Sequence, residues 1–82
     1  MIYVDKVRHY PNTKLPYKYW SHMWADSVIE LHVMADKIGL KRSWLQDKDG
    51  TFPHYDVVPS MRALAIKHGA IPREITLEDF KR

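Results

Sequence analysis

The sequence predicts a small single-domain α/β sandwich, a short mixed sheet covered by two main helices. Three observations lead there. Apolar residues recur at helical spacing in Val28, Leu31, Ala35 and Ile38 between a serine cap and a glycine stop. Short β-branched and aromatic runs stand at Ile2-Tyr3-Val4 and Tyr55-Asp56-Val57-Val58. A second helical stretch opens at Pro59-Ser60 and stops at Gly69. Strands that alternate with helices assemble into layered α/β architectures, but the order of the strands does not follow from the pattern.

The elements are justified in chain order. Ile2 to Asp5 reads as a strand that ends at the surface, with Asp5 at its C-terminal end. Residues 6–19 lose all periodicity, are broken by Pro11-Asn12 and Pro16, and carry Arg8, His9, Tyr10, Lys14, Tyr17, Lys18 and Tyr19. A loop this long in so small a domain is a candidate lid or contact surface. Ser27-Val28-Ile29-Glu30 matches a capping box and starts a helix over about 27–38. His32 and Asp36 form an i, i+4 pair on its boundary. Leu40 to Gln46, containing Trp44 and Leu45, suggests a strand, and Asp47-Lys48-Asp49-Gly50 a reversal. His54 to Val58 is extended, Ala70-Ile71 returns to the sheet, and Pro72 confines that strand to an edge. Thr76-Leu77-Glu78-Asp79 reads as the capped start of a frayed terminal helix over 76–82.

Composition bounds the function. Eighty-two residues with 45% apolar content give one domain and one core. The absence of cysteine excludes disulfides, thiolate zinc sites and a cysteine nucleophile, and fits a reducing compartment. No apolar run approaches the ~20 residues of a membrane span, and Met1-Ile2-Tyr3-Val4-Asp5 lacks signal-peptide character, so the expectation is a soluble, cytoplasmic protein. A net charge of +3 with interspersed acids suits a small anionic ligand and argues against nucleic acid as a partner. With three glycines there is no Walker-type phosphate loop, no Gly-x-Gly-x-x-Gly turn and no nucleophile elbow.

The polar residues gather in three places. His22 and Asp26 stand just before the first capped helix, whose free amides favour anions. In His54-Tyr55-Asp56, strand alternation points His54 and Asp56 to one face and Tyr55 to the other. Two His and two Asp make a donor set suited to a divalent metal, which Asp5 at its strand end can join, although no established metal-binding spacing is present. Ser60, as the cap of the second helix, and Arg62 supply a hydroxyl, free amides and a guanidinium for a phosphate or carboxylate. Lys41-Arg42 beside Trp44 is read as a solvated pair, and Trp20, Trp24 and Trp44 as core, any one of which can also line a pocket.

The strings His22-Met23-Trp24-Ala25-Asp26-Ser27, Glu30-Leu31-His32, Ile38-Gly39-Leu40, Trp44-Leu45-Gln46, His54-Tyr55-Asp56 and Ser60-Met61-Arg62-Ala63-Leu64-Ala65, followed by Gly69-Ala70, resemble in order a small bacterial and phage family catalogued as domain of unknown function 4031. The resemblance covers residues 1 to about 71 and carries no mechanism. Asp5, His22, Asp26, and His54-Tyr55-Asp56 with the following Ser60 and Arg62 match its polar pattern. Met61 stands where the family often has Lys, and the Tyr10 to Tyr19 loop is particular to this chain. The resemblance implies that the three clusters form one pocket of Asp5, His22, Asp26, His54, Asp56, Ser60 and Arg62, with Tyr55 or a tryptophan on its rim.

The leading functional expectation is binding of a small anionic molecule, a nucleotide or sugar phosphate, with no cofactor specified. One alternative is a metal-dependent hydrolase using His22 or His54 with Asp26 or Asp56. Another is a phage-encoded interaction or inhibitor module acting through the basic aromatic loop. A domain of this size can also complete its pocket as a homo-oligomer.

Overall fold

The computed structural model describes residues 1–11, 17–46 and 52–76. Within them the chain runs through β1 (Ile2–Val4), β2 (Arg8–His9), β3 (Tyr19–Ala25), α1 (Val28–Ile38), a single 3-10 turn (Arg42–Trp44), β4 (Tyr55–Val57), α2 (Pro59–Lys67) and β5 (Ile71–Pro72). The expected α/β fold is present: a mixed sheet of five strands with two helices. The predicted terminal helix over 76–82 and the reversal at 47–50 lie outside the described residues, Thr76 excepted.

Strand β3 organises the sheet. It pairs antiparallel with β1 through Ile2↔Ala25, Tyr3↔Trp24 and Val4↔Met23. It also pairs antiparallel with β4 through Ser21↔Val57, His22↔Asp56 and Met23↔Tyr55. Its first residues pair with β2, Arg8 opposite Trp20 and His9 opposite Tyr19. β5 lies parallel to β1 at the end of the strand path, where Pro72 removes no required ladder bond. The sequence pattern leaves Trp20 to Ala25 without a strand, and the structure corrects this. The reason is burial on both sides: Met23 and Trp24, adjacent in sequence and on opposite faces, are both nearly inaccessible. Such a strand shows no clean alternation of apolar and polar residues.

Both helices cover the same face. Val4, Met23, Tyr55 and Val57 of the sheet form one buried cluster with Leu31, Met34, Ala35 and Ile38 of α1 and Ala65 of α2. Removing that apolar surface from water is the main stabilising contribution. The other face carries an aromatic file, with Trp24 against Tyr3 and Phe52, and Phe52 stacked on His54.

Helix α1 begins where the sequence places it. Ser27 Oγ accepts from the Glu30 N–H at 3.2 Å, and Gly39 closes the helix at φ 85°, a left-handed conformation that costs glycine little. The reciprocal half of the capping box is not made; the Glu30 carboxylate accepts instead from the Met1 ammonium. Ser60 is not the cap of α2: Val58 holds that position without a side-chain bond, Pro59 fills the first turn, and Ser60 is exposed. The predicted strand over 40–46 reduces to the 3-10 turn and one bridge, Gln46↔His54.

Candidate metal centre on the open face of the sheet

Register brings the polar residues together. The β3–β4 pairing sets His22 directly opposite Asp56, and His54, two residues before Asp56, emerges on the same face. Neighbouring positions in β3 and β4 send Met23 and Tyr55 to the helix side. The two imidazoles and the carboxylate thereby stand on the face that the helices leave uncovered.

Asp5 fixes the first imidazole. It lies beyond Val4, in line with the register that pairs Val4 and Met23, and its N–H donates to the His22 carbonyl at 3.1 Å. The return bond of a regular ladder would run from the His22 N–H to the Asp5 carbonyl. Here the Asp5 side chain takes it: Oδ1 accepts from the His22 N–H at 2.6 Å, while Oδ2 lies 2.8 Å from Nδ1 of the His22 ring. The released Asp5 carbonyl accepts from Arg62 Nε at 2.7 Å. Three residues separate Val4 from Arg8 while two separate Trp20 from Met23, so one extra residue interrupts the pairing as in a β-bulge. Bulges re-aim side chains, and this one presents a 1% exposed carboxylate to an imidazole.

The partners assign the tautomers. A carboxylate only accepts, so His22 Nδ1 carries a proton, which makes Nε2 the lone-pair nitrogen of the neutral ring. His54 Nδ1 lies 2.9 Å from the Phe52 carbonyl, which also only accepts, so Nε2 is likewise the lone-pair nitrogen of the neutral ring. The rings meet edge to face at a centroid distance of 5.1 Å. His54 Nε2 is 3.5 Å from Asp56 Oδ1, and one ligand atom from each of His22, His54 and Asp56 falls within 4.8 Å of the others. Two ligands of a tetrahedral zinc ion at about 2.0–2.1 Å stand ~3.4 Å apart; the His54–Asp56 spacing of 3.5 Å matches this, while the cluster as a whole spans up to 4.8 Å.

The other expected site residues divide. Arg62 joins the group through the Asp5 carbonyl. Ser60 lies two positions earlier on α2, ~200° around the helix axis, so the two side chains leave the helix in different directions. Asp26, just beyond β3, accepts from the Tyr3 hydroxyl and from the Met1 ammonium, each at 3.1 Å. These contacts tie it to β1 and the chain start, and it is not among the residues whose ligand atoms converge. Tyr55 is fully buried on the helix side with its hydroxyl 2.8 Å from His32 Nδ1, and is not on the rim of this face. Burial pushes its phenol above the ordinary value, an effect that Arg42 partly offsets. His32 therefore pairs with Tyr55, while Asp36 of the expected His32–Asp36 pair bonds Arg42 at 2.8 Å. The Phe52 carbonyl, which orients His54, escapes sequence reading because every residue offers the same main-chain acceptor.

No curated protein and no solved structure is detectably similar to the chain. The model of one family, described as Protein of unknown function (DUF4031), matches residues 2–79, a span that contains every element above and all three residues of the triad. On that match over nearly its whole length, the chain belongs to the DUF4031 family.

Proposed function

We propose that this protein binds a divalent transition metal through His22, His54 and Asp56 and uses it for hydrolysis of a small anionic substrate. One observation carries the reading. Two imidazoles, each with an acceptor against Nδ1, turn their Nε2 atoms toward a carboxylate, a grouping of donors suited to a divalent cation. The Asp5 and Phe52 contacts are what metal-bound imidazoles ordinarily have: an acceptor on the second nitrogen that sets tautomer and ring orientation.

Three protein ligands on an accessible surface distinguish catalytic from structural use. Structural zinc sites close the coordination sphere with four protein ligands, whereas catalytic sites keep a position for water. His22, His54 and Asp56 are 28%, 21% and 43% exposed, so water and a small substrate reach the centre. A metal held by His22, His54 and Asp56 would supply Lewis acidity, lowering the pKa of a water and polarising a substrate oxygen. Asp5 would support the charge on His22 while remaining out of contact with the ion.

Zinc titration of metal-stripped protein tests the reading. One equivalent is expected to bind wild type, with at least a tenfold loss of affinity in His54→Ala and in Asp56→Asn while the circular dichroism spectrum is retained. Wild type that binds no zinc, manganese or cobalt would overturn the metal centre. Wild type that binds metal but hydrolyses no phosphate or carboxylate ester would overturn the catalytic half.

A further inference from the structure

We infer that the two-stranded ribbon of β2 and the start of β3 is a binding surface for single-stranded nucleic acid, an activity separate from the metal centre. Charge is divided unevenly along the chain. Residues 6–20 contain Lys6, Arg8, Lys14 and Lys18 and no acidic residue, which leaves nine cations against ten acids in the remainder. The whole positive excess of +3 thus comes from one segment, and a total that is modest for the chain is high for the ribbon.

The same segment carries exposed rings. Tyr10, Tyr17 and Tyr19 are exposed, as are both residues of β2, a concentration of ring surface of the kind that marks a binding site. The main chain holds these rings in place. Arg8 pairs with Trp20 and His9 with Tyr19, and the Tyr10 N–H donates to the Lys18 carbonyl at 2.7 Å. The His9 ring stacks on Tyr19 at a centroid distance of 4.8 Å. Tyr17 stands edge-on to Trp20, whose Nε1 donates to the Tyr17 carbonyl at 3.0 Å. Rings fixed in this way lose little freedom when a ligand stacks on them.

The partner follows from the two chemistries together. A nucleic-acid strand offers phosphates to Lys6, Arg8 and Lys18 and base faces to the tyrosines. An acidic peptide would use the cations alone, and a duplex keeps its base faces stacked on one another. Arg8 is paired with Glu74 at 3.0 Å, but both groups are about half-exposed, and a surface pair of this kind is weak enough for a phosphate to displace.

Fluorescence anisotropy of a labelled oligothymidylate, titrated with the whole protein in excess chelator, tests the ribbon independently of the metal centre. Wild type should bind, with affinity falling as salt is raised. The double variant Tyr17→Ala, Tyr19→Ala should bind about tenfold or more weakly at unchanged circular dichroism, while Tyr17→Phe, Tyr19→Phe keeps the rings and should keep the affinity. Lys6→Gln with Lys18→Gln should flatten the salt dependence. Unlabelled strand should compete well, and duplex DNA and polyglutamate poorly; these competitors decide the matter in wild type even where an alanine variant fails to fold. No binding by wild type at low salt, or equal affinity in a folded Tyr17→Ala, Tyr19→Ala protein, would overturn the inference. Competition by polyglutamate or duplex as strong as by the unlabelled strand would overturn it too, the former in favour of an acidic protein partner.

Discussion

Asp5 holds His22 by two bonds at once, one to its backbone N–H at 2.6 Å and one to ring Nδ1 at 2.8 Å. The carboxylate thus substitutes for its own carbonyl in the sheet ladder and sets the imidazole tautomer in the same contact. A main-chain irregularity and a side-chain orientation are one structural event here, which is why a buried acid is tolerated next to the sheet centre.

Asp5→Asn separates shape from charge. The amide oxygen can still accept from the His22 N–H, but the amide nitrogen then donates toward Nδ1 and forces the proton to Nε2, the position a metal needs. Zinc affinity should fall about 10–100-fold, read by competition with a chromophoric chelator. Nitrogen chemical shifts of the ring should report the changed tautomer. Unchanged affinity with an unchanged tautomer would remove Asp5 from any supporting role.

Ser21 offers a test of the core. Its side chain is 1% exposed and its hydroxyl has no hydrogen-bond partner, an arrangement that costs free energy without return. Ser21→Ala should stabilise the fold by about 1 kcal/mol, a rise of roughly 4–8 °C in melting temperature for a domain of this size. A drop in melting temperature would show that the hydroxyl has a partner in solution.

Tyr55 predicts an alkaline limit. Burial raises its phenol above the ordinary value of 10.0, so the folded protein keeps the proton at a pH where the unfolded chain has lost it. The resulting contribution is complete below about pH 10 and disappears as pH climbs through the raised value. Urea denaturation from pH 8 to 11 should show stability falling in wild type and a shallower fall in Tyr55→Phe. Parallel curves for the two proteins would count against the raised phenol.

Asp36 predicts the acid counterpart. Its bond to Arg42 holds the carboxyl below the ordinary 3.8, so whatever the pair contributes is present above that value and is lost as pH falls through the lowered one. Both groups lie on the surface, where salt screens the attraction. The difference in urea midpoint between wild type and Asp36→Asn should therefore be small at pH 7, shrink with added salt, and vanish near pH 2. A difference that persists at pH 2 would assign Asp36 a role other than pairing with Arg42.

Local chemistry made much of the fold legible. Ser27 and Gly39 bound α1 because capping and a left-handed turn depend on residues within one helical turn. His54 and Asp56 share a face because the strand period is two whatever the strand pairs with. The chemistry of the site was legible in the same way, as residue types suited to a metal and an anion. Which of those residues meet was decided by β3, whose double-sided burial hides its alternation, and by the registers that set His22 opposite Asp56 and Asp5 alongside His22. Asp26 is as suitable a ligand as Asp56 in composition, yet it is held on the β1 side by Tyr3, whereas Asp56 is set directly opposite His22. Residue type and short-range periodicity are properties of a few neighbouring residues and survive in the sequence. The convergence of His22, His54 and Asp56, and the anchoring of Asp5 by Arg62 fifty-seven residues away, are long-range pairings that exist only once the strands have found their register.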